Sequence, residues 1–353
     1  MHETNFEGAK ILVVGGAGFV GSNLCHRILE TEKITRLTIV DNLLSSDVIN
    51  IPADERVTFI FGSIADEAIL KKIPNDINIA YHLACYHGNQ SSIANPLADH
   101  DNNTITSLKL FEHLKDFKQL EKVVYAAAGC AVAEKTFDNA TATPEDAPVS
   151  LFHDSPYSIS KLIGEMYGNY YFLRYGLPFV KARFQNVYGP REILGAGHWR
   201  GTHHTVWRNV IPTFIWKSLN GEALPLDNGG NASRDFIFVE DMARGLIGCA
   251  KSGMPGEAYN LASGVETTIA DLAGIINEST GNTTPVDLKP ARDWDRSGKR
   301  FGSTEKSREK LQFEAKTTIR EGIQKTVSWT IANREKIQSR ISNHDVLMQQ
   351  ISK

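Results

Sequence analysis

Residues 13–21 read Val13-Val14-Gly15-Gly16-Ala17-Gly18-Phe19-Val20-Gly21, and this stretch decides the fold. The apolar residues 11–14 predict a short buried strand, and the apolar spacing that follows the glycines predicts a helix. Gly15 lets the chain turn sharply off the strand, and Gly18 removes a Cβ where a phosphate would approach the backbone. Gly21 lets the helix pack close to the sheet. The positive end of this helix, with its free N–H groups, then forms an anion site.

A second predicted strand, residues 37–40, ends in Asp41, about 20 residues after the last glycine, as in a dinucleotide fingerprint. A carboxylate at this place accepts hydrogen bonds from both hydroxyls of an adenosine ribose and repels a 2′-phosphate. The order strand, glycine turn, helix, strand and Asp therefore predicts an NAD site. A glycine turn that binds nothing is the weaker interpretation.

The composition is typical of a globular protein, since 41% of the 353 residues are hydrophobic and 22% are charged. The net charge of −3 provides no basic surface for nucleic acid, and no apolar stretch is long enough for a transmembrane helix. The four cysteines are far apart and form no metal-binding pattern. We therefore expect a cytoplasmic protein with reduced thiols and with no metal, nucleic-acid or membrane partner. These cysteines are Cys25, Cys85, Cys130 and Cys249.

Strand and helix patterns alternate through the first half of the chain. Repeated β-α-β units of this length predict an α/β fold with a doubly wound parallel Rossmann sheet. Ligands of such sheets bind beyond the carboxyl ends of the strands. Strands are predicted at residues 57–61, 77–82, 123–125 and 179–184, with helices near residues 66–72, 96–117 and 156–175 and a loop of small residues at 126–131.

The pattern becomes less regular in the second half, which predicts a smaller C-terminal α/β lobe interleaved with the sheet. We assign residues 1–185 to an NAD-binding domain, to which residues 241–265 return. Residues 186–240 and 266–330 are assigned to a substrate-binding lobe. Residues 331–353 are predicted to form a helical tail.

Tyr157 and Lys161 lie four residues apart in Ser155-Pro156-Tyr157-Ser158-Ile159-Ser160-Lys161, at the start of a predicted helix. This spacing places both side chains on one helix face. A phenol is a poor base at neutral pH because its pKa is about 10. A nearby ammonium and a positive nicotinamide ring both favour the phenolate, so Tyr157 is a candidate base and Lys161 a candidate ribose ligand. Taken alone, such a pair is more often an ordinary helix surface.

With these motifs, the chain resembles the extended short-chain dehydrogenases/reductases of the nucleotide-sugar epimerase/dehydratase family. The resemblance covers roughly residues 9–330. The motifs that carry it are Gly15-Gly16-Ala17-Gly18-Phe19-Val20-Gly21-Ser22, Asp41-Asn42-Leu43, His82-Leu83-Ala84, Asn102-Asn103, Tyr157 with Lys161, Arg183-Phe184-Gln185-Asn186-Val187-Tyr188-Gly189-Pro190, Arg234-Asp235-Phe236-Ile237-Phe238-Val239-Glu240-Asp241 and Tyr259-Asn260-Leu261.

The resemblance implies a permanently held NAD, a sugar-nucleotide substrate and transient oxidation at C4 of the sugar. It implies that Asn186, Arg191, Arg234 and Arg292 bind the substrate, and a guanidinium suits its diphosphate because it binds phosphate oxygens bidentately. For each arginine alone, a solvated surface charge is the commoner case. The residues implied at the cofactor are Gly15, Gly18, Phe19, Val20, Asp41, Asn42, Ser63, Ile64, Leu83, Ala84, Cys85, Asn103, Tyr157 and Lys161.

The chain departs from the family in three places. Ala128 stands where family members carry a Ser or Thr that hydrogen-bonds the sugar 4-hydroxyl, a contact typically worth a few kcal/mol. Ser63 replaces an Asp at the adenine pocket. The long loop at residues 191–208 is rich in His, Trp and Arg. This loop either caps the sugar, binding an anionic group such as a carboxylate, or is a surface loop.

Cys130 supports an alternative reaction. Residues 125–130 align without gaps to the loop of GDP-mannose 3,5-epimerase, where a cysteine serves as the acid/base group. A thiol of lowered pKa can abstract a proton α to a C4 ketone. An apolar filler role is the more common one for a buried free cysteine.

We predict an NAD-dependent 4-epimerase of UDP-sugars, acting on a uronic acid or an acetamido sugar. Chemistry at C3 or C5 through Cys130 and an NAD-binding protein that has lost catalysis remain open alternatives. A sugar-nucleotide dehydratase is disfavoured because no Asp-Glu pair follows Tyr125. By the same resemblance, two long helices per subunit form a homodimer, and the second carries surplus apolar residues: Leu162, Ile163, Met166, Tyr170 and Phe172.

Overall fold

The computed structural model describes residues 4–132, 136, 138–292 and 298–351, which fold into alternating strands and helices. The strands are β1 (Lys10–Val14), β2 (Arg36–Asp41), β3 (Val57–Phe61), β4 (Ile79–His82), β5 (Lys122–Ala128), β6 (Ala142–Thr143), β7 (Phe179–Phe184), β8 (Asn186–Tyr188), β9 (Pro225–Asp227), β10 (Ser233–Phe238), β11 (Ala258–Leu261), β12 (Glu266–Thr268), β13 (Asp287–Lys289) and β14 (Phe301–Gly302).

The helices begin and end at local sequence signals. The longest begins at Pro156, behind Ser155, whose hydroxyl accepts a hydrogen bond from the Ser158 amide. It ends where Gly176 adopts the left-handed conformation. The helices are α1 (Phe19–Thr31), α2 (Glu67–Leu70), α3 (Asn89–Ala94), α4 (Pro96–Asp99), α5 (Thr106–Leu114), α6 (Pro156–Tyr175), α7 (Val210–Leu219), α8 (Val239–Ser252), α9 (Ile269–Thr280), α10 (Glu305–Leu311), α11 (Ile319–Ala332), α12 (Arg334–Ser342) and α13 (Asp345–Ile351), and a π-helical segment, His100–Ile105, joins α4 to α5.

Seven parallel strands form the central sheet, in the order β11-β7-β5-β4-β1-β2-β3. Side chains of β1 alternate between its two faces. Ile11 and Val13 pack into one hydrophobic core with residues of α1 and α8. Leu12 and Val14 pack into a second core with residues of α5 and α6. Since both faces are covered, residues 11–14 of the strand are all apolar, and the predicted doubly wound Rossmann sheet is confirmed.

The chain reverses its direction across the sheet between β1 and β4. It first adds β2 and β3 on one side of β1, and then places β4, β5 and β7 on the other side. The segments that leave the carboxyl ends of β1 and β4 therefore diverge. Such a point leaves a crevice in which ligands of doubly wound sheets bind.

A separate hydrophobic core lies in the second half of the chain. Strands β8, β10 and β12 form a small sheet, and helices α7, α9 and α11 pack beside it. Strand β11 and helix α8 lie elsewhere, since β11 pairs with β7 and α8 packs against α1. None of the described helices is both long and apolar enough to cross a membrane. The core of this smaller lobe includes Tyr188, Ile215, Phe238, Leu272 and Ile323.

Two predicted element bounds are corrected. The helix predicted over residues 96–117 begins at Pro96 but ends at Leu114, and it contains the π-helical segment. Strand β5 extends to Ala128 because it keeps pairing with β7. Residues 126–128 are therefore strand rather than loop, and their positions are fixed by the sheet.

The C-terminal helices hold a loop of the second half in place. Ile337 and Ile341 of α12 pack into a small hydrophobic core with Ile193 and Leu194. The imidazole Nε2 of His344 also lies 2.9 Å from the Gly195 carbonyl oxygen. The end of the chain therefore supports residues 191–208, which we call the substrate loop.

Candidate functional site

A cavity of about 770 Å³ opens at the carboxyl ends of the central strands and extends to the smaller lobe. Its volume is typical of sites that bind small molecules. The cavity wall brings together most of the predicted site residues: Gly15, Gly18, Phe19, Val20, Asp41, Asn42, Ser63, Ile64, Leu83, Ala84, Cys85, Ala128, Cys130, Tyr157, Lys161, Asn186, Arg191, Arg234 and Arg292.

The glycine turn has the geometry that a pyrophosphate needs. Gly15 has a φ of +87°, and a Cβ added there would lie 2.5 Å from the Ala84 amide nitrogen. A Cβ on Gly21 would lie 2.1 Å from the Gly15 carbonyl oxygen, so α1 packs directly on the turn. Gly18 caps α1 without a side chain, and Phe19 and Val20 line the cavity. The first turn of α1 therefore offers backbone N–H groups to an anion.

Asp41 is fixed by hydrogen bonds on both carboxylate oxygens. Its Oδ2 accepts from the Ala17 amide at 3.0 Å, and its Oδ1 accepts from the Leu43 amide and the Ser46 hydroxyl at 2.8 Å each. Burial raises the pKa of Asp41, and these hydrogen bonds oppose the rise. The carboxylate thus joins the glycine turn to the loop after β2 at the place where an adenosine ribose is expected.

Asn103 lies behind the cavity wall rather than in it. Its Oδ1 accepts from the Tyr86 amide at 2.7 Å, and its Nδ2 donates to Asp99 Oδ1 at 2.8 Å. Asn102 and Thr106 of the same helical run line the cavity instead. Asn103 therefore supports the segment after β4, and its predicted contact with the cofactor stays a prediction.

The start of α6 brings Tyr157 and Lys161 to the cavity. Lys161 Nζ donates to the Ala126 carbonyl oxygen at 3.0 Å and lies 5.9 Å from the centroid of the Tyr157 ring. Burial, followed by the charges that Cys85 and Cys130 can carry, raises the pKa of Tyr157. Burial therefore outweighs the expected effect of Lys161, and the phenol is protonated at neutral pH. Its activation as a base requires a further positive charge beside it.

The end of β5 faces Tyr157 with small side chains. Ala128 is buried and lines the cavity, and it offers no hydrogen-bonding group at this position. Cys130 and Tyr157 pack against the cluster of Ala128, Ala131 and Leu162. The predicted departure from the family therefore lies directly beside the candidate base.

His87 is a site residue that the sequence reasoning missed. Its ring meets the Tyr157 ring edge-on, with centroids 5.9 Å apart, and it lines the cavity. Burial and the nearby Arg208, Arg200 and Lys161 lower the pKa of His87 to about 3, so its imidazole is neutral. It follows Cys85 by two residues, outside any quoted motif, so only its position just past a strand end could have indicated it.

The substrate loop packs against the loop after β2. The His198 amide donates to the Leu44 carbonyl oxygen at 3.0 Å. The Arg208 guanidinium donates to the carbonyl oxygens of Ser45 at 3.1 Å and Ala196 at 2.7 Å. Within the described residues, neither Arg208 nor Arg200 forms an ion pair with a carboxylate. The loop thus places the buried guanidinium of Arg200 and the partly buried guanidinium of Arg208 at or near the cavity.

The four predicted substrate residues all line the cavity, but their side chains have different partners. Arg234 donates to the carbonyl oxygens of Ser233 and Gly298, each at 2.6 Å. Arg292 forms an ion pair with Asp227. Arg191 donates to Asn23 Oδ1 at 3.1 Å, so its guanidinium contacts α1. Asn186 stands at the start of β8.

Comparisons with known proteins agree with this geometry. A family model described as the NAD dependent epimerase/dehydratase family matches residues 11–262. The chain is 53% identical to the Bordetella bronchiseptica enzyme WbmF in complex with NAD⁺, over 98% of this chain and 99% of that one, with a TM-score of 0.87. A second WbmF structure, 54% identical over 98% of each chain with a TM-score of 0.87, contains NAD⁺ and UDP.

Curated relatives include an epimerase and a dehydratase, the two activities in the name of the family. The chain is 29% identical over 320 residues to a putative UDP-glucose 4-epimerase of Methanocaldococcus jannaschii, covering 90% of this chain and 97% of the relative. It is 27% identical over 337 residues to a dTDP-glucose 4,6-dehydratase of Streptomyces antibioticus, covering 92% and 93%. The family model covers most of the chain, and the glycine turn, Asp41 and the Tyr157–Lys161 pair meet in one cavity. The chain therefore belongs to the NAD-dependent epimerase/dehydratase family.

Proposed function

We propose that the chain is an NAD-dependent 4-epimerase of UDP-sugars. The observation that carries the proposal is the convergence of Tyr157 and Lys161 on the cavity that also contains the glycine turn and Asp41. Residues 126–132, which follow Tyr125, include no carboxylate, and elimination of water in this family uses an acidic pair there. The UDP found in WbmF supports a uridine nucleotide.

The roles of the side chains follow from their positions. The first turn of α1 holds the cofactor pyrophosphate, and Asp41 holds the adenosine ribose. When bound, NAD supplies a hydride acceptor for C4 of the sugar and a positive ring beside Tyr157. Tyr157 accepts the proton of the 4-hydroxyl and later returns it, and Lys161 holds its ammonium beside the phenol. Arg234 and Arg292 bind the diphosphate, which leaves the sugar free to present its other face.

The sugar carries an acidic substituent in this proposal, such as the carboxylate of a uronic acid. Arg208 lines the cavity, and burial and the neighbouring Arg200 lower its pKa to about 10. A buried guanidinium bonded only to backbone carbonyls is stabilised by an anion. Glu192 also lines the cavity and acts electrostatically on Arg208, so an acidic sugar substituent would add to that negative charge, whereas an acetamido sugar, the other predicted class, would add none.

A second candidate function is epimerisation at C3 or C5 through Cys130. Cys130 and Tyr157 pack against the same small cluster, and a charge on Cys130 would act on the Tyr157 phenol. We infer that the thiol lies near the reacting sugar carbon. A thiolate there would remove a proton α to the C4 ketone. A catalytically inactive NAD-binding protein has less support, because both Tyr157 and Lys161 are in place.

Incubation with UDP-, GDP- and dTDP-sugars in D₂O tests these functions, with products identified by NMR. A C4 epimer without carbon-bound deuterium supports the proposal, because the hydride returns internally. Deuterium at C3 or C5 identifies the second candidate, and release of water identifies a dehydratase. A UDP-uronic acid is expected to react fastest.

A homodimer is part of the same proposal. Helix α6 exposes Met166 and Leu173, which are 54% and 82% accessible, and the neighbouring helices expose Ile93 and Leu97. Such a patch favours association through two helices of each subunit. Leu162 is buried beside Ala128 and does not contribute to this face. Sedimentation as a monomer at micromolar concentration would contradict the dimer.

A further inference from the structure

We propose that His87 supplies the hydrogen bond to the reacting sugar hydroxyl that the alanine at position 128 does not provide. The inference rests on the proposed function, since it concerns the hydroxyl that Tyr157 deprotonates. It identifies a substrate-contacting residue that lies outside the family motifs described above.

Neighbouring residues hold both the ring and the backbone of His87. Its ring stands edge-on against Tyr157, with centroids 5.9 Å apart, at the cavity wall. Its carbonyl oxygen accepts a hydrogen bond from Arg200 Nη1 at 3.1 Å, and the Arg200 guanidinium lies 5.2 Å from the Tyr86 ring centroid. The backbone that carries the imidazole is therefore anchored, and the ring shares the cavity surface with the candidate base.

The imidazole of His87 retains its full hydrogen-bonding capacity. In the described part of the chain, no residue hydrogen-bonds to either of its ring nitrogens. The neighbouring His82 differs, because its Nε2 lies 3.0 Å from Ser107 Oγ and the residue is fully buried. A neutral imidazole has one N–H donor and one acceptor. One N–H can therefore donate to the sugar oxygen while Tyr157 accepts its proton.

Two other groups near this position are weaker candidates. The hydroxyl of Ser91, which lines the cavity, has no hydrogen-bond partner among the described residues, so it is not bonded to Tyr157. The Cys130 thiol packs beside Tyr157, but a thiol is a weak hydrogen-bond donor. His87 combines contact with Tyr157 and a strong donor.

A double-mutant cycle between positions 87 and 128 tests the proposal. The readout is the single-turnover rate at which the substrate reduces bound NAD, followed by absorbance of the reduced nicotinamide. His87→Leu is expected to lower this rate by about 10²–10³-fold with cofactor content unchanged. Ala128→Ser is expected to restore the rate by at least about tenfold in the His87→Leu background, a larger factor than the same substitution produces in the wild type. His87→Gln, which keeps a donor, is expected to retain most of the rate.

The proposal is overturned if His87→Leu reacts at nearly the wild-type rate, or if Ala128→Ser fails to restore the rate while cofactor content is normal. If His87→Leu loses the cofactor, the cycle is repeated with His87→Phe, which also lacks a donor, and the same two outcomes decide. The nature of the product reports separately on the proposed function. Deuterium at C3 or C5 would reject 4-epimerisation, whereas the rate of cofactor reduction still reports on His87.

Discussion

The cofactor half and the substrate half of the cavity are built in different ways. In the cofactor half, backbone geometry and short-range hydrogen bonds fix each group, as with Gly15 and with Asp41, whose partners lie in adjacent turns. In the substrate half, side chains arrive from distant loops and meet only in the folded chain, as with His87, Cys130 and Arg208. On the proposed function, recognition of the cofactor is thus encoded locally, and recognition of the sugar is encoded by tertiary structure.

The largest effect is expected at the boundary of the two halves. Tyr157→Phe removes the proton acceptor, and we expect cofactor reduction by the substrate to slow by about 10²–10⁴-fold while NAD stays bound. Single-turnover absorbance and the cofactor content of the purified protein measure the two effects. Tyr170→Phe, on the exposed face of the same helix, is the matched control. A Tyr157→Phe variant that reacts at the wild-type rate would assign the base to another residue.

A change confined to the cofactor half should alter cofactor binding and specificity. Asp41→Ala is expected to weaken NAD by about 10–100-fold, because a charged hydrogen-bond acceptor is lost. Asp41→Asn keeps the size of the side chain but removes its charge, so it should relax discrimination against NADP more than it weakens NAD. Calorimetric titration of both cofactors tests this. Equal affinity of the native protein for NAD and NADP would contradict the role of Asp41.

The same contrast explains what the sequence could predict. The sheet, the glycine turn, Asp41 and the start of α6 depend on local patterns of apolar residues, glycines and caps, and the structure has them at or near the predicted residues. Strand β5 was predicted to end at residue 125, but it ends at Ala128. Small residues are typical of a loop, and the pairing with β7 that makes them a strand is not visible in the local sequence. The predicted cofactor contact of Asn103 stays a prediction, because a motif does not tell which side of a π-helical segment faces the cavity.

The substrate half was the less predictable part. His87 and Arg208 lie more than 100 residues apart in the chain, and no local pattern relates them. Their proximity depends on how the substrate loop packs, which is set by contacts with Leu44 and Ser45 on one side and with the C-terminal helices on the other. Long-range packing of an irregular loop leaves no periodic signal in the sequence.

Buried histidines make the free energy of unfolding depend on pH. Burial lowers the pKa of His82, at the end of β4, to about 3. The unfolded chain binds a proton below about pH 6.5 that the native state excludes, so the free energy of unfolding falls as the pH decreases from about 6.5 towards 3. A fully buried histidine contributes a slope of up to about 1.4 kcal/mol per pH unit. His87, whose pKa is also lowered to about 3, contributes a slope of the same sign.

Urea denaturation at about pH 7 and about pH 5 measures this slope. His82→Gln keeps a partner for Ser107 and removes the titrating group, so the loss of stability on acidification should become smaller. His87→Gln is the matched comparison in the substrate half and should also reduce the slope. An unaltered slope in His82→Gln would show that other groups dominate acid unfolding.

The smallest effect is expected for substitution of Cys130. This substitution is also the sharpest test of the substrate half. If the reaction is 4-epimerisation, the thiol is only a packing neighbour of Tyr157, and Cys130→Ala should change the rate by less than about threefold. If the reaction occurs at C3 or C5, the same variant loses an acid/base group and should slow by about 10²–10⁴-fold. Both outcomes leave the bound NAD in place, because Cys130 lies outside the glycine turn.

Product analysis in D₂O supplies the independent check. If the wild type incorporates deuterium at C3 or C5 and Cys130→Ala is slow, Cys130 is the acid/base group of the reaction. A fast variant without carbon-bound deuterium leaves Tyr157 as the group that moves the proton.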